Sequence, residues 1–326
     1  MSHNDNSFYS ISILKLVEFL STDKASNEIF FTKLLLSKVD NKKLTHLIDD
    51  VKKLRESLKP IAAKKNLFVA ESDQKKKFAS LLTGFEPSES GFLSNTYAVD
   101  ATRTASKKSI LATDSFLPLS TPSIWMLAHL NFDSASVIGA SIPGIPVIFS
   151  GKNNNVAWAS SFSSVDDQDL FYEKLNPENH QEYLTINGYK KFEIDEKLIR
   201  LKGHPTRKIV LRKTENGIVL PSNTFDISSI KPTDHEISLS WTGYNENDST
   251  LASLLNIMTS ESISDLKNKI FDNNTFNLNL ILADKNIVDM IFIGQAPIRP
   301  SNSESKGRII SIGWEKTNQW QKKTEN

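Results

Sequence analysis

A serine that follows a linker-like run stands where the character of the chain changes. Residues 83–91 contain Gly, Ser, Pro and Glu and lead through Leu93 to Ser94. Residues before Ser94 follow a helical, lysine-rich pattern, and residues after it alternate as strands do. A serine at the start of a strand-rich segment suits an N-terminal nucleophile, released by cleavage of the bond between Leu93 and Ser94. An ordinary surface serine would show the same pattern.

Such a serine would carry its own base. Attack of the Ser94 hydroxyl on the preceding carbonyl would break the bond and free an α-amine, whose ordinary pKa is about 7.7–8.0. That amine can accept the hydroxyl proton near neutral pH, so the chemistry needs no catalytic histidine. The six histidines show no triad-like context, no Gly-x-Ser-x-Gly elbow occurs, and cysteine is absent from the sequence. His129 is expected to be a packed or hydrogen-bonded strand residue.

The composition argues against a polyanionic partner. The 326 residues include 39 basic and 38 acidic side chains, so neither nucleic acid nor an anionic membrane surface is expected to bind. Residues 1–6 lack the features of a signal peptide, and no apolar run approaches transmembrane length. By default, the chain as written is expected to be cytoplasmic and to lack a membrane span.

Three helices are predicted before Ser94. Apolar residues concentrate in residues 11–20 and 27–39. A third helix, which Pro60 would end, has apolar residues at three- and four-residue spacing: Leu44, Leu47, Ile48, Val51, Leu54 and Leu58.

After Ser94, the pattern predicts mainly strands. Residues 94–102 and 109–114 are expected to form a hairpin around a turn at 104–108. Further strands are predicted between residues 125 and 219 and at 237–241, followed by two helices within 249–272 and a last hairpin at 278–293.

Five stretches resemble the penicillin acylase family of N-terminal nucleophile (Ntn) hydrolases. In the first, the family usually has Ser-Asn-x-Trp-x-Val. The five are residues 94–99 (SNTYAV), 122–130 (PSIW and HL), 137–146 (VIGASIPGIP), 156–171 (VAW and DDQDLF), and 279–284 (NLILAD) with 297–300 (PIRP) downstream. Their order and spacing together carry the resemblance, which extends from residue 11 to the C-terminus.

The resemblance implies an α+β fold with the αββα sandwich core of the Ntn hydrolases, here incomplete, and an N-terminal helical segment. Residues 1–58 resemble the end of the small α subunit, 59–93 a linker or spacer, and 94–326 the N-terminal part of the large β subunit. The implied activity is hydrolysis of the linear amide of an N-acyl compound, such as a β-lactam side chain or an acyl-homoserine lactone. The implied partners are that substrate and either the chains of its own precursor or a separately encoded remainder.

The resemblance also implies roles for individual residues. Ser94 would be the nucleophile and, through its α-amine, the base. The Asn279 side chain and the Phe162 backbone N–H would donate to the oxyanion, and Arg299 matches an active-site arginine. A polar residue in an asparagine-rich turn is the alternative for Asn279.

An apolar acyl pocket is implied as well. Its candidates are Phe162, Trp125 and Phe149, each of which could instead belong to the core.

The chemistry of the family requires no cofactor, but a structural Ca²⁺ is implied. Asp166, Gln168 and Asp169 match a calcium-binding turn of the family, and two carboxylates with a backbone carbonyl are hard ligands that suit Ca²⁺. The family takes a further ligand from a part of the α subunit that this chain is expected to lack. An ordinary acidic turn is the alternative.

Some features depart from the family pattern. Phe116 stands where the family usually has His or Gln near the nucleophile, and the chain is expected to lack both the start of the α subunit and much of the β subunit. These departures favour an alternative, a non-catalytic, unprocessed remnant or binding module that needs a missing part of the subunit. Family members are typically exported to the periplasm, so the resemblance and the default expectation differ on location.

Overall fold

The computed structural model describes most of the chain. The described residues are 4–22, 24–37, 39–62, 93–116, 121, 123–132, 136–163, 165–200, 202–222, 224–225, 227–271 and 274–321. Most of the predicted spacer, residues 63–92, therefore lies outside them. None of the described helices is both long and apolar enough to cross a lipid bilayer.

The described elements are helices and mainly antiparallel strands, which confirms the predicted α+β class. The helices are α1 (Asn4–Thr22), α2 (Lys24–Leu36), α3 (Asn41–Leu44), α4 (Val51–Ser57), α5 (Lys59–Ala62), α6 (Thr250–Met258) and α7 (Ile263–Asn268). The strands are β1 (Leu93–Val99), β2 (Ile110–Phe116), β3 (Met126–Asn131), β4 (Ser136–Ser141), β5 (Ser150–Lys152), β6 (Ala157–Phe162), β7 (Gln168–Asn176), β8 (Asn179–Thr185), β9 (Gly188–Lys191), β10 (Glu193–Ile199), β11 (Arg207–Lys213), β12 (Ile218–Val219), β13 (His235–Trp241), β14 (Leu278–Ala283), β15 (Val288–Ile293) and β16 (Ser311–Ile312).

The chain divides into two compact units that each combine distant segments. Unit 1 contains Met1–Thr22, Ala79–Val165 and Thr242–Ala296; unit 2 contains Asp23–Phe78, Asp166–Trp241 and Pro297–Asn326. This division groups residues by space rather than by chain order. The predicted subunit-like segments, with boundaries at residues 58 and 93, stay a prediction.

Unit 1 is organised around a six-stranded antiparallel sheet in the order β15-β14-β6-β5-β4-β3. Side chains alternate between the two faces of a strand, so Leu278, Leu280 and Leu282 of β14 all point to one face. All three are buried in one apolar cluster with Trp158 of β6 and Leu14 of α1. Helix α6 adds three apolar residues of one helical face to the same core: Leu254, Ile257 and Met258.

The β1–β2 hairpin lies alongside both β6 and β14. Because β6 is an inner strand of the sheet, the hairpin covers a face of the sheet and not its edge. No hairpin residue belongs to the apolar cluster among the described residues, so the hairpin lies on the face opposite that core. Ala159, which alternation places on this second face, is fully buried.

Polar contacts at its far end fix the hairpin. The Ser109 N–H donates to the Lys285 carbonyl in the β14–β15 turn at 3.4 Å. The Asp100 side chain accepts the Thr102 N–H at 2.8 Å and caps a short 3-10 turn. Strand β1 therefore ends at Val99, three residues earlier than the predicted limit at residue 102.

Unit 2 contains a larger sheet in the order β10-β11-β12-β13-β7-β8-β9, with β16 parallel to β7. Strand β7 is central, and residues 168–173 are buried without interruption. This run includes the polar residues Gln168, Asp169 and Glu173. Buried polar groups are costly without partners, so their contacts decide how the centre of this unit is built.

The prediction of one long third helix is wrong. The structure has three short helices instead, because Asp50 adopts a left-handed backbone conformation (φ 57°) between α3 and α4. Pro60 does not end a helix: it lies in the first turn of α5, where a missing N–H needs no partner. Most of the predicted apolar positions are nevertheless buried, but Leu47 is 62% exposed.

Glu173 is a buried carboxyl without a cationic partner in the described part of unit 2. One of its oxygens, Oε1, accepts hydrogen bonds from the side chains of Thr214, Asn216 and Ser238 at 2.8, 3.0 and 2.7 Å. The other, Oε2, is buried and has no hydrogen-bond partner among the described residues. Burial raises the pKa of Glu173 in spite of these hydrogen bonds.

We expect Glu173→Gln to be increasingly favoured over wild type as the pH rises. A raised folded-state pKa contributes stability below the unfolded value of about 4.3, which is lost as the pH rises through the folded pKa. Urea unfolding at pH 5 and pH 8 would measure the difference in unfolding free energy between variant and wild type.

Glu236→Gln is the matched control on the neighbouring strand. Burial raises the pKa of Glu236, but Lys231 and Arg212 outweigh it and lower the pKa overall. This variant should therefore lose stability at both pH values. A Glu173→Gln difference that is the same at pH 5 and pH 8 would contradict the prediction.

Candidate active site

Three of the predicted site residues lie on neighbouring elements of unit 1. Ser94 is in β1, opposite Ser115 of β2. Phe162 is the last residue of β6 and pairs with Leu278 of β14. Asn279 is the next residue of β14, and the hairpin that carries Ser94 lies alongside both strands. The fold therefore gathers this region of β1, β6 and β14, while the roles of the three residues stay predictions.

Asn279 points away from the apolar core. Its neighbours Leu278 and Leu280 face the core, so alternation directs Asn279 to the face that the β1–β2 hairpin covers. The side chain is partly exposed, and it makes no hydrogen bond to another described residue. Its amide thus keeps donors for a ligand on the side of the sheet where Ser94 lies. It is a strand residue, not part of an asparagine-rich turn.

The Phe162 N–H is directed away from β14. The next residue, Ser163, donates its N–H to the Asn277 carbonyl of the neighbouring segment at 3.1 Å. In an antiparallel ladder, successive N–H groups point to opposite edges of a strand, so the Phe162 N–H faces the other edge of β6.

A row of aromatic rings runs from Phe162 through the core of unit 1. Its ring lies edge-to-face with Phe276, with centroids 5.7 Å apart, and Phe276 contacts Phe149 at 6.2 Å. Phe149 in turn contacts Trp125 at 6.2 Å. Phe149 and Phe276 are fully buried, whereas Phe162 and Trp125 are partly exposed at the two ends. Sequence reasoning missed Phe276, because contacts between aromatic residues far apart in the chain follow no periodicity.

Two further positions named in the sequence analysis lie in strands of unit 1. His129 lies in β3 and is hydrogen-bonded through Nε2 to the Ser136 hydroxyl of β4 at 2.8 Å, as expected of a strand residue. Phe116 is the last residue of β2 and pairs with Leu93.

Arg299, the fourth predicted catalytic residue, belongs to unit 2 and not to the unit of the other three. Its guanidinium binds Asp169 through two hydrogen bonds, Nε to Oδ2 at 2.8 Å and Nη2 to Oδ1 at 3.0 Å. It also contacts the Asp166 carboxylate at 3.0 Å and the carbonyls of Asp166 and Gln168 at 3.2 and 3.4 Å. A side chain at Gly307 would collide with this pair, since a Cβ there would lie 2.6 Å from both.

A third carboxyl joins this cluster from helix α2. Glu28 is buried and accepts the Leu170 N–H on both oxygens, at 3.2 and 3.1 Å. Burial and the charge of Asp169 raise the pKa of Glu28 well above its ordinary value. Sequence reasoning missed Glu28, because only the fold brings α2 to β7.

The predicted calcium site does not fit this arrangement. The donors expected to bind Ca²⁺ were the carboxylates of Asp166 and Asp169 with a backbone carbonyl, and Arg299 engages both carboxylates and the Gln168 carbonyl. Among the described residues, no group of three or more His, Cys, Asp or Glu is arranged to hold a metal ion. A fixed guanidinium supplies the positive charge that an ion would bring.

Comparison with known protein families shows the class to which the chain belongs. The penicillin amidase family model matches residues 6–325, so the chain belongs to the penicillin amidase family. The fold is similar to that of thermostable penicillin G acylase from Alcaligenes faecalis, with a TM-score of 0.57 and 18% identity over 69% of this chain and 39% of that one. The predicted Ntn-hydrolase-like fold is thereby confirmed.

The curated relatives that the chain matches have a name more specific than that of the family. The chain is 25% identical over 228 residues to the acyl-homoserine lactone acylase QuiP of Pseudomonas fluorescens, which is 70% of this chain and 27% of that protein. It is 26% identical over 232 residues to QuiP of Pseudomonas aeruginosa, with the same coverage. The chain thus spans about a quarter of the length of these relatives.

We expect the fold to be independent of calcium and dependent on Arg299. Arg299→Ala should lower the unfolding free energy by about 3–5 kcal/mol, because it leaves the buried Asp169 without its cationic partner and with only the Trp320 indole as a side-chain donor among the described residues. Excess EDTA should leave the thermal midpoint of wild type unchanged.

Arg207→Ala, at an exposed position of β11, controls for loss of an arginine and should change stability by no more than about 0.5 kcal/mol. A wild-type thermal midpoint that falls in EDTA and recovers with CaCl₂ would contradict the prediction and indicate that calcium binds at this turn.

Proposed function

We propose that this chain carries the catalytic Ntn-hydrolase part of an acylase that hydrolyses the linear amide bond of N-acyl compounds. Membership of the penicillin amidase family, over residues 6–325, carries this proposal. The placement of Ser94, Phe162 and Asn279 on neighbouring strands of one unit supports it.

The proposed first step is self-cleavage. The Ser94 hydroxyl attacks the Leu93 carbonyl carbon, and the acyl group moves from the Ser94 nitrogen to its oxygen. Water then hydrolyses this ester, so that Leu93 gains a carboxylate and Ser94 regains its hydroxyl beside a free α-amine. The family's usual His or Gln partner has no counterpart at Phe116, so the chemistry would rely on the amine itself.

In the proposed turnover, the α-amine accepts the hydroxyl proton as Ser94 attacks the substrate carbonyl. The oxyanion takes hydrogen bonds from the Asn279 amide and the Phe162 N–H. The amine passes its proton to the leaving nitrogen, the C–N bond breaks, and water hydrolyses the acyl-enzyme. No step needs a metal ion or a cofactor, and the Arg299 cluster takes a structural role.

Within this proposal, N-acyl-homoserine lactones are the substrate class to test first, ahead of β-lactam side chains. The name of the curated relatives supports this choice. Phe162 offers a partly exposed aromatic ring at one end of the aromatic row, and an acyl chain could pack there. The processed chains would stay together, with or without a separately encoded remainder of the subunit, and export to the periplasm would follow the family.

The test is release of homoserine lactone from an N-acyl-homoserine lactone by the purified protein. We expect Ser94→Ala to abolish the release, because both nucleophile and base are lost. Asn279→Ala should lower kcat by about 10²–10³, the usual cost of one oxyanion donor.

Two matched variants serve as controls. Ser106→Ala changes an exposed serine of the hairpin turn, and Asn286→Ala an asparagine of the β14–β15 turn; both should keep wild-type activity. If folded wild type hydrolyses neither this substrate nor an N-acyl β-lactam, or if Ser94→Ala equals wild type, the alternative of a non-catalytic binding module stands instead.

A further inference from the structure

Helix α1 reaches, through two charged residues, the segment that leads into β14. Lys15 and Glu18 are three residues apart and therefore lie on the same side of the helix. Glu18 is only 1% exposed and, among residues 10–19 of α1, shares full burial only with the apolar Leu14. A carboxylate so deeply buried needs hydrogen bonds to offset its loss of hydration.

Lys15 is connected to the segment before β14 through Asp248. Its ammonium forms an ion pair with Asp248 at 3.0 Å and also donates to the Gly243 carbonyl. Asp248 in turn accepts the Thr250 N–H and hydroxyl and the Thr275 N–H, at 3.0, 2.6 and 3.2 Å. Burial would raise the pKa of Asp248, but the Thr250 hydrogen bonds and Lys15 outweigh it and keep the pKa below its ordinary value.

Glu18 binds Asn277, the residue just before the paired part of β14. Its Oε1 accepts the Asn277 N–H at 3.2 Å and the Asn277 side-chain amide at 3.4 Å. The Asn277 carbonyl accepts the Ser163 N–H at 3.1 Å. One buried carboxylate is thus connected, through a single residue, to both strands.

These contacts adjoin both predicted oxyanion donors. Asn277 is two residues before Asn279, and Ser163 is the residue after Phe162. Gly294, the residue after β15, lies close against Asn277, since a Cβ at Gly294 would lie 2.2 Å from the Asn277 Oδ1. Asn277 therefore has little room to move once Glu18 holds it.

We propose that Glu18 is a positioning residue, which holds Asn277 and thereby sets the spacing between the Phe162 N–H and the Asn279 amide. This inference rests on the proposed function. Glu18 precedes the proposed cleavage site, so after processing it would belong to the separate small chain. Retention of that chain would then be a condition of activity, because the oxyanion donors are braced from it.

Kinetics of processed Glu18→Ala and Glu18→Gln test the proposal. A displacement of about 1 Å at a reacting centre can cost on the order of 10² in rate, so Glu18→Ala should lower kcat by roughly 10–100-fold and leave KM within about threefold. Glu18→Gln keeps an acceptor oxygen at the same reach and should recover most of kcat.

Leu14→Ala is the matched control on the same helix. Leu14 is 2% exposed in the apolar core, so this variant should lower the unfolding midpoint and leave the kcat of the folded, processed protein unchanged. Equal losses of kcat in Leu14→Ala and Glu18→Ala would reduce Glu18 to a general structural role and overturn the proposal. So would an unchanged kcat in Glu18→Ala.

Amide hydrogen exchange supplies a readout that needs no activity. Glu18→Ala should speed exchange at Asn277 and Ser163, and Leu14→Ala should speed it much less there. If wild type is inactive but this pattern holds, the proposed function fails while the bracing by Glu18 is supported. Unaltered exchange at both amides in Glu18→Ala would refute the bracing itself.

Discussion

The antiparallel pairing of β6 with β14 is the constraint on which the rest of unit 1 depends. Its register places Phe162 opposite Leu278 and Asn279 opposite Ser161. A slip by one residue would turn Leu278, Leu280 and Leu282 out of the core and Asn279 into it, so apolar burial enforces the register strongly. The same register that buries the apolar core therefore also sets the relative positions of Phe162 and Asn279, which the proposed chemistry needs. The hydrogen bonds from Asn277 to Glu18 adjust these positions at the start of β14.

Unit 2 has buried carboxyl groups at its centre and stabilises them through specific partners. Its central strand carries Asp169 and Glu173 where neighbouring strands exclude water. Arg299 meets the first with a two-point ion pair, and neutral donors surround the second. Arginine suits the first task because its planar fork matches a carboxylate and stays charged when partly buried. In this chain, the acidic turn that resembles a calcium site therefore binds the Arg299 guanidinium.

Local sequence patterns predicted the structure wherever the residues of a single segment determine its conformation. The alternation after Ser94, the β1–β2 hairpin and the β14–β15 hairpin could be predicted because turn residues and period-two patterns are local signals. The third helix could not, because apolar spacing alone does not reveal the left-handed backbone at Asp50. Glu18, Glu28 and Phe276 were out of reach for another reason: each acts through a partner far away in sequence, and no pattern within one segment identifies that partner.

The site itself was predicted through resemblance more than through pattern. Asn279 differs from its neighbouring asparagines only in register with a family motif. The catalytic role of Arg299 stays a prediction, and its guanidinium forms ion pairs with Asp166 and Asp169. Ser94 is different, because its predicted chemistry follows from its own covalent structure: a serine with a free α-amine contains both a nucleophile and a base.

The central claim is therefore that Ser94 becomes an N-terminus, and intact-mass analysis with N-terminal sequencing tests it most directly. The account predicts two associated chains from purified wild type, the larger beginning at Ser94, and one unbroken chain from Ser94→Ala. A folded wild-type protein that remains a single chain would contradict it, because Ser94 would then lack the amine on which the mechanism depends.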